Sequence, residues 1–380
     1  MLNLMFNMTF ADKMVSESNA RIKAGNNPND LRDPQVYEIV KQDEELWSIY
    51  ARKEEYSPAG LDNHGRFTHA SSSCKDISNP RLSQYLVDKG FRAQYPDNKK
   101  FAVCLTHDVD EIYPPISHEL ISSFYHMKNL DFNGLKNQLL WKRMGKESSP
   151  YWNFKEIMAL EESFDAKSTF YFMAARRDVK RFRYDVEPLE HELGFIADMG
   201  WEVGLHGGYY AYDNLEEIKK EKLRLETALG KDVIGYRNHY LRFKVPDTWE
   251  LLAKAGFKYD ATLGYEDAVG FRNGMCHPFR PFNLNNGRYI DILEIPLCIM
   301  DTTLWGHKSQ TGGLWPTVES LIGVAEKYGG VLTLLWHNNM FNCPFRDPLC
   351  KLYGKILALA QERNAWLTSA YEIWRWWNDY

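Results

Sequence analysis

The sequence lacks the cysteine patterns that make cysteine structural. Its six cysteines, Cys74, Cys104, Cys276, Cys298, Cys343 and Cys350, contain no CxxC pair and no dense framework. That fits free thiols in a reducing compartment better than a disulfide framework. Long apolar runs are missing too, and none approaches the length needed to cross a bilayer. The first ten residues, MLNLMFNMTF, are apolar but have no basic start, no long hydrophobic stretch and no small-x-small cleavage site. No secretory leader is therefore expected, and the cytoplasm is the expected location. Strong charge imbalance is also absent. A net charge of −5 gives no electrostatic reason to expect nucleic acid or an anionic membrane surface as a partner. No internal repeat and no low-complexity tract is found.

What is present is ordinary globular material, 380 residues that are 44% hydrophobic and 26% charged. Such a chain holds one large domain with additions, or two domains. Residues 1–100 are polar and irregular and read as an extension of unassigned fold. Within it, Tyr37 to Arg52 has helical spacing. His64 to Lys75 reads as loop, as does Asn26 to Pro34. Pro80 to Gly90 reads as a short helix with proline at its start and glycine at its end.

From residue 101 the texture changes. Strand-like runs at 101–107, 168–173, 202–206, 233–237, 258–263, 289–295 and 331–336 alternate with helical patterns. The helical stretches are Phe154 to Phe164, Pro188 to Met199, Leu215 to Leu229, Val245 to Ala255 and Leu321 to Tyr328. Alternation of this kind predicts parallel strands with crossover helices. About seven strands predict a distorted (β/α) barrel over 101–380. Residues 111–150 break the pattern and read as an insertion over one barrel mouth, with helices at Ile116 to Asn129 and Leu135 to Met144. Ala365 to Tyr380 reads as a final strand or turn followed by an aromatic helix.

In such barrels reactive groups sit at the C-terminal ends of the strands. Four strand ends here carry them. The first ends in THDVD, with His107, Asp108 and Asp110. The third ends in His206, followed by Gly207 and Gly208. The fourth ends in Arg237, Asn238 and His239. The seventh ends in His337 and Asn338. Each has a plain structural alternative: the aspartates as turn caps, the histidines as buried or strand-terminal polar groups, the arginine as an ion-pair partner. His64, His69, His118, His126, His191, His277 and His307 have no matching placement and read as structural or surface residues. Carboxylate and imidazole ligands around an open position suit Zn²⁺, or Co, Ni, Mn or Fe in its place. Such an ion polarises a carbonyl and lowers the pKa of a water to about 7. A second carboxylate then serves as base and a separate imidazole as acid.

These residues resemble the polysaccharide deacetylases, metal-dependent carbohydrate esterases that remove N- or O-acetyl groups from sugars. The resemblance covers roughly residues 100–375 and rests on the order and strand-end position of THDVD, GLHGGYYAYDN, GYRNHYLRF and LTLLWHNN. It implies a distorted β/α barrel with Asp108 as general base, Asp110 and His206 as metal ligands, Arg237 orienting the base and His337 as general acid. Two places depart from the pattern. Tyr210 stands where the family has a second histidine, and His239 stands where it has a proline. His239 is therefore the expected third ligand, with Asp213 in reserve. The resemblance implies a glycan or acetamido-sugar substrate and a divalent metal.

Tyr209, Tyr210, Tyr212, Trp305, Trp336 and Phe341 are expected near the mouth as sugar-stacking rings. CHPFRPFNL (276–284) is expected at its rim, with Arg280 meeting an acidic group. Residues 1–100 are expected to form a lid or support an oligomer. Two other functions stay open: a hydrolase of the same fold that opens another C–N bond, in a cyclic amide or ureide, and a metal-free barrel that only binds glycan.

Overall fold

The run before THDVD is apolar on every residue, and it forms the central strand. The computed structural model describes residues 30–176, 183–306, 313–342, 344 and 347–379. The expectations for residues 1–29, for His307 and for Cys343 lie outside the described residues. The strands are β1 (Phe101–Val109), β2 (Thr169–Met173), β3 (Glu202–Gly207), β4 (Gly235–Asn238), β5 (Tyr259–Asp260), β6 (Phe282–Asn283), β7 (Arg288–Tyr289), β8 (Leu293–Glu294), β9 (Leu297–Met300), β10 (Val331–Leu335) and β11 (Ala365–Thr368). All nine residues of β1 are buried. A strand packed on both faces must be, because helices cover one side and the barrel interior the other.

The sheet runs β8-β5-β4-β3-β2-β1-β10-β9, and all of its pairings are parallel. β1 serves three neighbours. Along one edge Ala102–Thr106 pairs with β10. Along the other, Phe101–Cys104 pairs with β11 and Thr106–Val109 with β2. β8 and β9 end the order on opposite sides, yet only Ile295 and Pro296 separate them in the chain. The sheet must therefore curl until its two edges approach each other, giving a barrel that its hydrogen bonds do not close.

The expected seven strands become eight in hydrogen-bonding order plus β11. The run 289–295 is two pieces. Tyr289 belongs to β7, which pairs antiparallel with β6 in a separate hairpin, and β8 joins the barrel. β9 escaped notice because it is four residues long and directly follows a proline.

The helices follow their sequence signals closely. Leu215–Leu229 opens on Asn214, whose side chain accepts from the Glu217 N–H at 3.2 Å, and stops at Gly230, whose φ of +71° suits glycine. In the extension, Tyr37 to Arg52 is not one helix. A 3₁₀ turn at Pro34–Gln42 gives way to an α-helix at Glu44–Tyr50, because the Asp43 carboxylate accepts from Leu46 N–H and restarts the helix there. Among the described residues, Cys74, Cys104, Cys276, Cys298 and Cys350 are free thiols, and no helix is long and apolar enough to cross a membrane.

The extension is bonded to the barrel through buried charge. Glu55 receives Arg52 on one side and Arg272 on the other, and Arg52 also donates to the Arg272 carbonyl at 2.6 Å. Tyr50 Oη donates to the Arg280 carbonyl at 2.7 Å. The stretch 276–284 does not rim the mouth. The Cys276 carbonyl accepts from Val331 N–H, at the first residue of β10, so this stretch packs under the end opposite His337. Arg280 there pairs with Asp291 at 3.3 Å and donates to Asn378 at 2.7 Å.

Candidate metal centre

Side chains alternate along a strand, so the THDVD end of β1 splits between two faces. Thr106, Asp108 and Asp110 point into the barrel. His107 points the other way, under the helix Phe154–Glu162. Its Nδ1 bonds the Trp336 carbonyl and its Nε2 bonds the Glu161 carboxylate, both at 2.8 Å. His107 thus belongs to the supporting layer.

Inside the barrel the strand ends converge. His206 Nε2 lies 3.1 Å from Asp110 Oδ1 and 3.6 Å from Asp108 Oδ2. His239 Nε2 lies 3.6 Å and His337 Nε2 3.7 Å from Asp110 Oδ2. One ligating atom from each of Asp110, His206 and His239 falls within 4.8 Å of the other two. His206 Nδ1 bonds the Arg237 carbonyl at 3.1 Å and must donate to it, which turns Nε2 toward the two carboxylates. His206 Nε2, Asp110 Oδ1 and His239 Nδ1 are buried without hydrogen-bond partners. An imidazole nitrogen facing carboxylate oxygens at this range needs a proton or a cation between them, and one carboxylate with two imidazoles fits a first-row divalent ion. Asp213 is not brought to the cluster. It lies in a separate cleft with Lys244 and Asp247.

Electrostatics follow the same geometry. Burial alone would raise the Asp110 carboxyl, but His239, His206 and His337 hold it well below its usual range. Burial works against the charged form of His206, and Asp108 and Asp110 outweigh it, so its pKa rises. For His239 burial wins over Asp110 and the pKa falls, which favours the neutral ring that a metal ligand requires. Arg237 Nη1 donates to Asp108 Oδ1 at 3.1 Å and to Thr106 Oγ1 at 2.6 Å, while Nε donates to the Ala261 carbonyl at 2.9 Å.

Asp301 was missed at the sequence level. It follows β9 and is fully buried. It accepts from the His337 backbone N–H at 2.6 Å and bonds His337 Nδ1 at 2.8 Å. The signal was available: LCIM followed by Asp repeats the pattern of an apolar strand ending in an acid. Burial opposes charge on His337, but Asp301 first, then Asp110 and Asp108, push its pKa up to about 10.

The cluster opens into a cavity of about 340 Å³. His64 and His118, expected to be structural or surface residues, both line it, together with Arg66 and Tyr240. Arg66 donates to the Tyr240 carbonyl at 3.0 Å, and so the extension supplies part of the wall. That bond holds a strained turn. Tyr240 and Leu241 have φ of +65° and +51°, a conformation that costs non-glycine residues about 1–3 kcal/mol each. The turn brings His239 and Tyr240 to the cavity.

The expected stacking rings do not line this cavity. Tyr209 and Tyr212 instead hold Arg242, whose guanidinium lies 4.2 Å from each ring centroid, and Tyr210 stands half-exposed beside them. Trp336 is wholly buried against Tyr353, and Phe341 packs on His107 and Tyr353. Trp305 also lies outside the lining.

The Gly207–Gly208 turn after His206 is fixed by Glu221, which accepts from Gly208 N–H at 2.7 Å while its other oxygen has no partner. Burial pushes its carboxyl from 4.5 up to about 7. The folded chain holds this proton more tightly than the unfolded chain. Its contribution to stability is thus complete below pH 4.5 and is lost as the pH rises through about 7. Glu221→Gln should flatten the fall in melting temperature between about pH 4.5 and 7. An unchanged pH profile would contradict this placement.

No protein-family model and no curated protein sequence matches the chain. Among solved structures, it is similar to a protein assigned as a polysaccharide deacetylase from Mycobacterium smegmatis, at 19% identity over 75% of this chain and 92% of that one, with a TM-score of 0.49. A second is PuuE allantoinase, at 17% identity over 75% and 94%, with a TM-score of 0.49. A third is assigned as a polysaccharide deacetylase from Pseudomonas aeruginosa PAO1, at 16% identity over 74% and 92%, with a TM-score of 0.48.

Proposed function

We propose that the protein is a metal-dependent hydrolase that removes an acetyl group from an N-acetylated sugar or glycan precursor. The convergence of Asp110, His206 and His239, with Asp108 and His337 on either side, carries this reading. Those three residues would hold a divalent ion, zinc before cobalt, nickel, manganese or iron. When bound, the ion would polarise the acyl carbonyl and acidify water. Asp108 takes the proton from the attacking water. Arg237 orients the Asp108 carboxylate through a direct contact at 3.1 Å. His337 gives a proton to the departing sugar nitrogen, and Asp301 holds the His337 ring in the orientation that presents Nε2 to the cavity.

Outer-shell partners of a metal ligand typically contribute about 10–100-fold in affinity, so losing a ligand should cost at least about 100-fold. His239→Ala is expected to lower zinc affinity by that much, and Asp213→Ala to leave it unchanged. Isothermal titration of both variants separates the two candidates, and full affinity in the His239 variant removes that residue from the ligand set.

Asp301→Asn removes the largest influence raising the His337 pKa. The basic limb of the kcat/KM profile should move down by about 1–3 pH units. A profile that keeps its limb while losing amplitude would make Asp301 purely structural.

The cavity volume also favours a second reading. About 340 Å³ suits one sugar residue or a small ring better than a long polymer segment. A cyclic amide or ureide could use the same groups. Assaying an acetamido sugar beside a cyclic ureide, with metal content measured on the same preparation, distinguishes the two. Bound metal with turnover of the ureide alone would exclude the deacetylase reading.

A further inference from the structure

Of the two helices that follow β1, the first, Ile116–Lys128, is built inside out, and the second, Phe132–Met144, buries Trp141 but leaves Phe132, Leu139 and Met144 exposed. A helix on a globular protein buries its apolar stripe. Here the buried residue of the first helix is Ser122, and the inward contacts are polar. His118 bonds Tyr151 Oη at 2.8 Å, and Glu119 ties the two helices together through Lys142 at 2.8 Å. Most of the apolar side chains face out. Ile116, Leu120 and Phe124 are 72%, 67% and 65% exposed, and Phe132 and Leu139 on the second helix are 71% and 63% exposed. Eleven of the fifteen large hydrophobic residues exposed in the described chain lie between Tyr113 and Met144. An apolar surface this concentrated marks a binding face.

Cations are interleaved with it. Lys136 and Arg143 share one stripe with Phe132 and Leu139, at spacings of four, three and four residues, and Lys128 closes the first helix. All three are exposed, and among the described residues none has an ion-pair partner. Of the acids nearby, Glu119 is paired with Lys142 and Asp131 with His126.

We infer that this helical hairpin docks the protein on an anionic bilayer surface, with its apolar side chains in the headgroup boundary and its cations on acidic lipid. Outward apolar residues flanked by Lys and Arg are what an interfacial helix requires. Each helix has 13 residues, too short to span the bilayer. A symmetric second copy fits less well, because an isologous interface would bring the same cationic patch of both copies together. Residues 116–144 hold four Lys or Arg against two Asp or Glu, a net +2, so against the total of −5 the rest of the chain carries −7 and would keep other faces off an acidic membrane. His118 lies on the first helix and lines the metal-centre cavity, so docking brings that cavity close to the lipid. The inference does not depend on the proposed hydrolysis.

Co-sedimentation of the full chain with phosphatidylcholine vesicles, with and without phosphatidylglycerol, tests it. Binding is expected only with phosphatidylglycerol and should weaken as salt rises. The variants Leu120→Asp/Phe124→Asp and Lys136→Glu/Arg143→Glu should each lower the partition coefficient by about tenfold or more. Melting curves without lipid verify that both variants are folded, and the second alters only exposed side chains. No binding to phosphatidylglycerol vesicles, or binding unchanged in both variants, would overturn the inference. So would a dimer of the free chain that Leu120→Asp/Phe124→Asp dissociates, which would assign the face to a second copy.

Discussion

Asp108→Asn is expected to lower kcat/KM for deacylation by about 10²–10⁴-fold while metal content stays that of the wild type. Asparagine keeps the shape of the side chain and can still accept from Arg237, but it cannot take a proton from water. The change has a structural cost that must be separated from the catalytic one. Arg237 is fully buried, and its remaining partners, Thr106 and the Ala261 carbonyl, are neutral. Without the Asp108 charge the guanidinium loses its counter-ion, and stripping one partner from a buried pair costs about 3–5 kcal/mol. Rates should therefore be compared at a temperature where both proteins are folded and metal-loaded. Under those conditions near-wild-type turnover would remove Asp108 from the base role. A loss of metal in parallel with the loss of rate would make it a ligand instead.

The largest effect on stability is expected one layer away, at Glu161. This carboxylate is fully buried under β1 and is bonded by four side chains: His107 Nε2 at 2.8 Å, Tyr353 Oη at 2.6 Å, Ser168 Oγ at 2.8 Å and Trp201 Nε1 at 2.6 Å. They come from β1, the helix Asp347–Glu362 and the starts of β2 and β3. Glu161→Ala would leave four buried polar side chains without their shared partner and open a cavity beneath the strand that carries Asp108 and Asp110. A loss of about 3–5 kcal/mol in urea unfolding is expected. A loss below about 1 kcal/mol would mean that water or a shifted side chain replaces the carboxylate.

These two sites show why the sequence was readable in one part and silent in another. Strand ends that carry Asp or His are local patterns, and the parallel barrel turns them into neighbours, so Asp108, Asp110, His206, Arg237, His239 and His337 could all be picked out. Period-two alternation would also have separated His107 from the two aspartates. Glycines marked the helix ends at Gly200, Gly230 and Gly256 for the same local reason. Contacts made across long sequence distance left no such trace. Nothing near His64 or Arg66 indicates that they reach a cavity built from β1, β3, β4 and β10. Nothing near Tyr209 indicates that Arg242 occupies its face. Short strands such as β5, β8 and β9 are held by the closing of the sheet more than by their own composition. The strand count was accordingly low, and Asp301 was overlooked with β9.

The most direct test of the account is the metal itself. Purified protein loaded with Zn²⁺ and desalted should retain one ion per chain by elemental analysis, and Asp110→Ala and His206→Ala should each lose it while staying folded. Wild-type protein that retains no divalent ion, or variants that keep theirs, would contradict the convergence of these side chains on a shared cation.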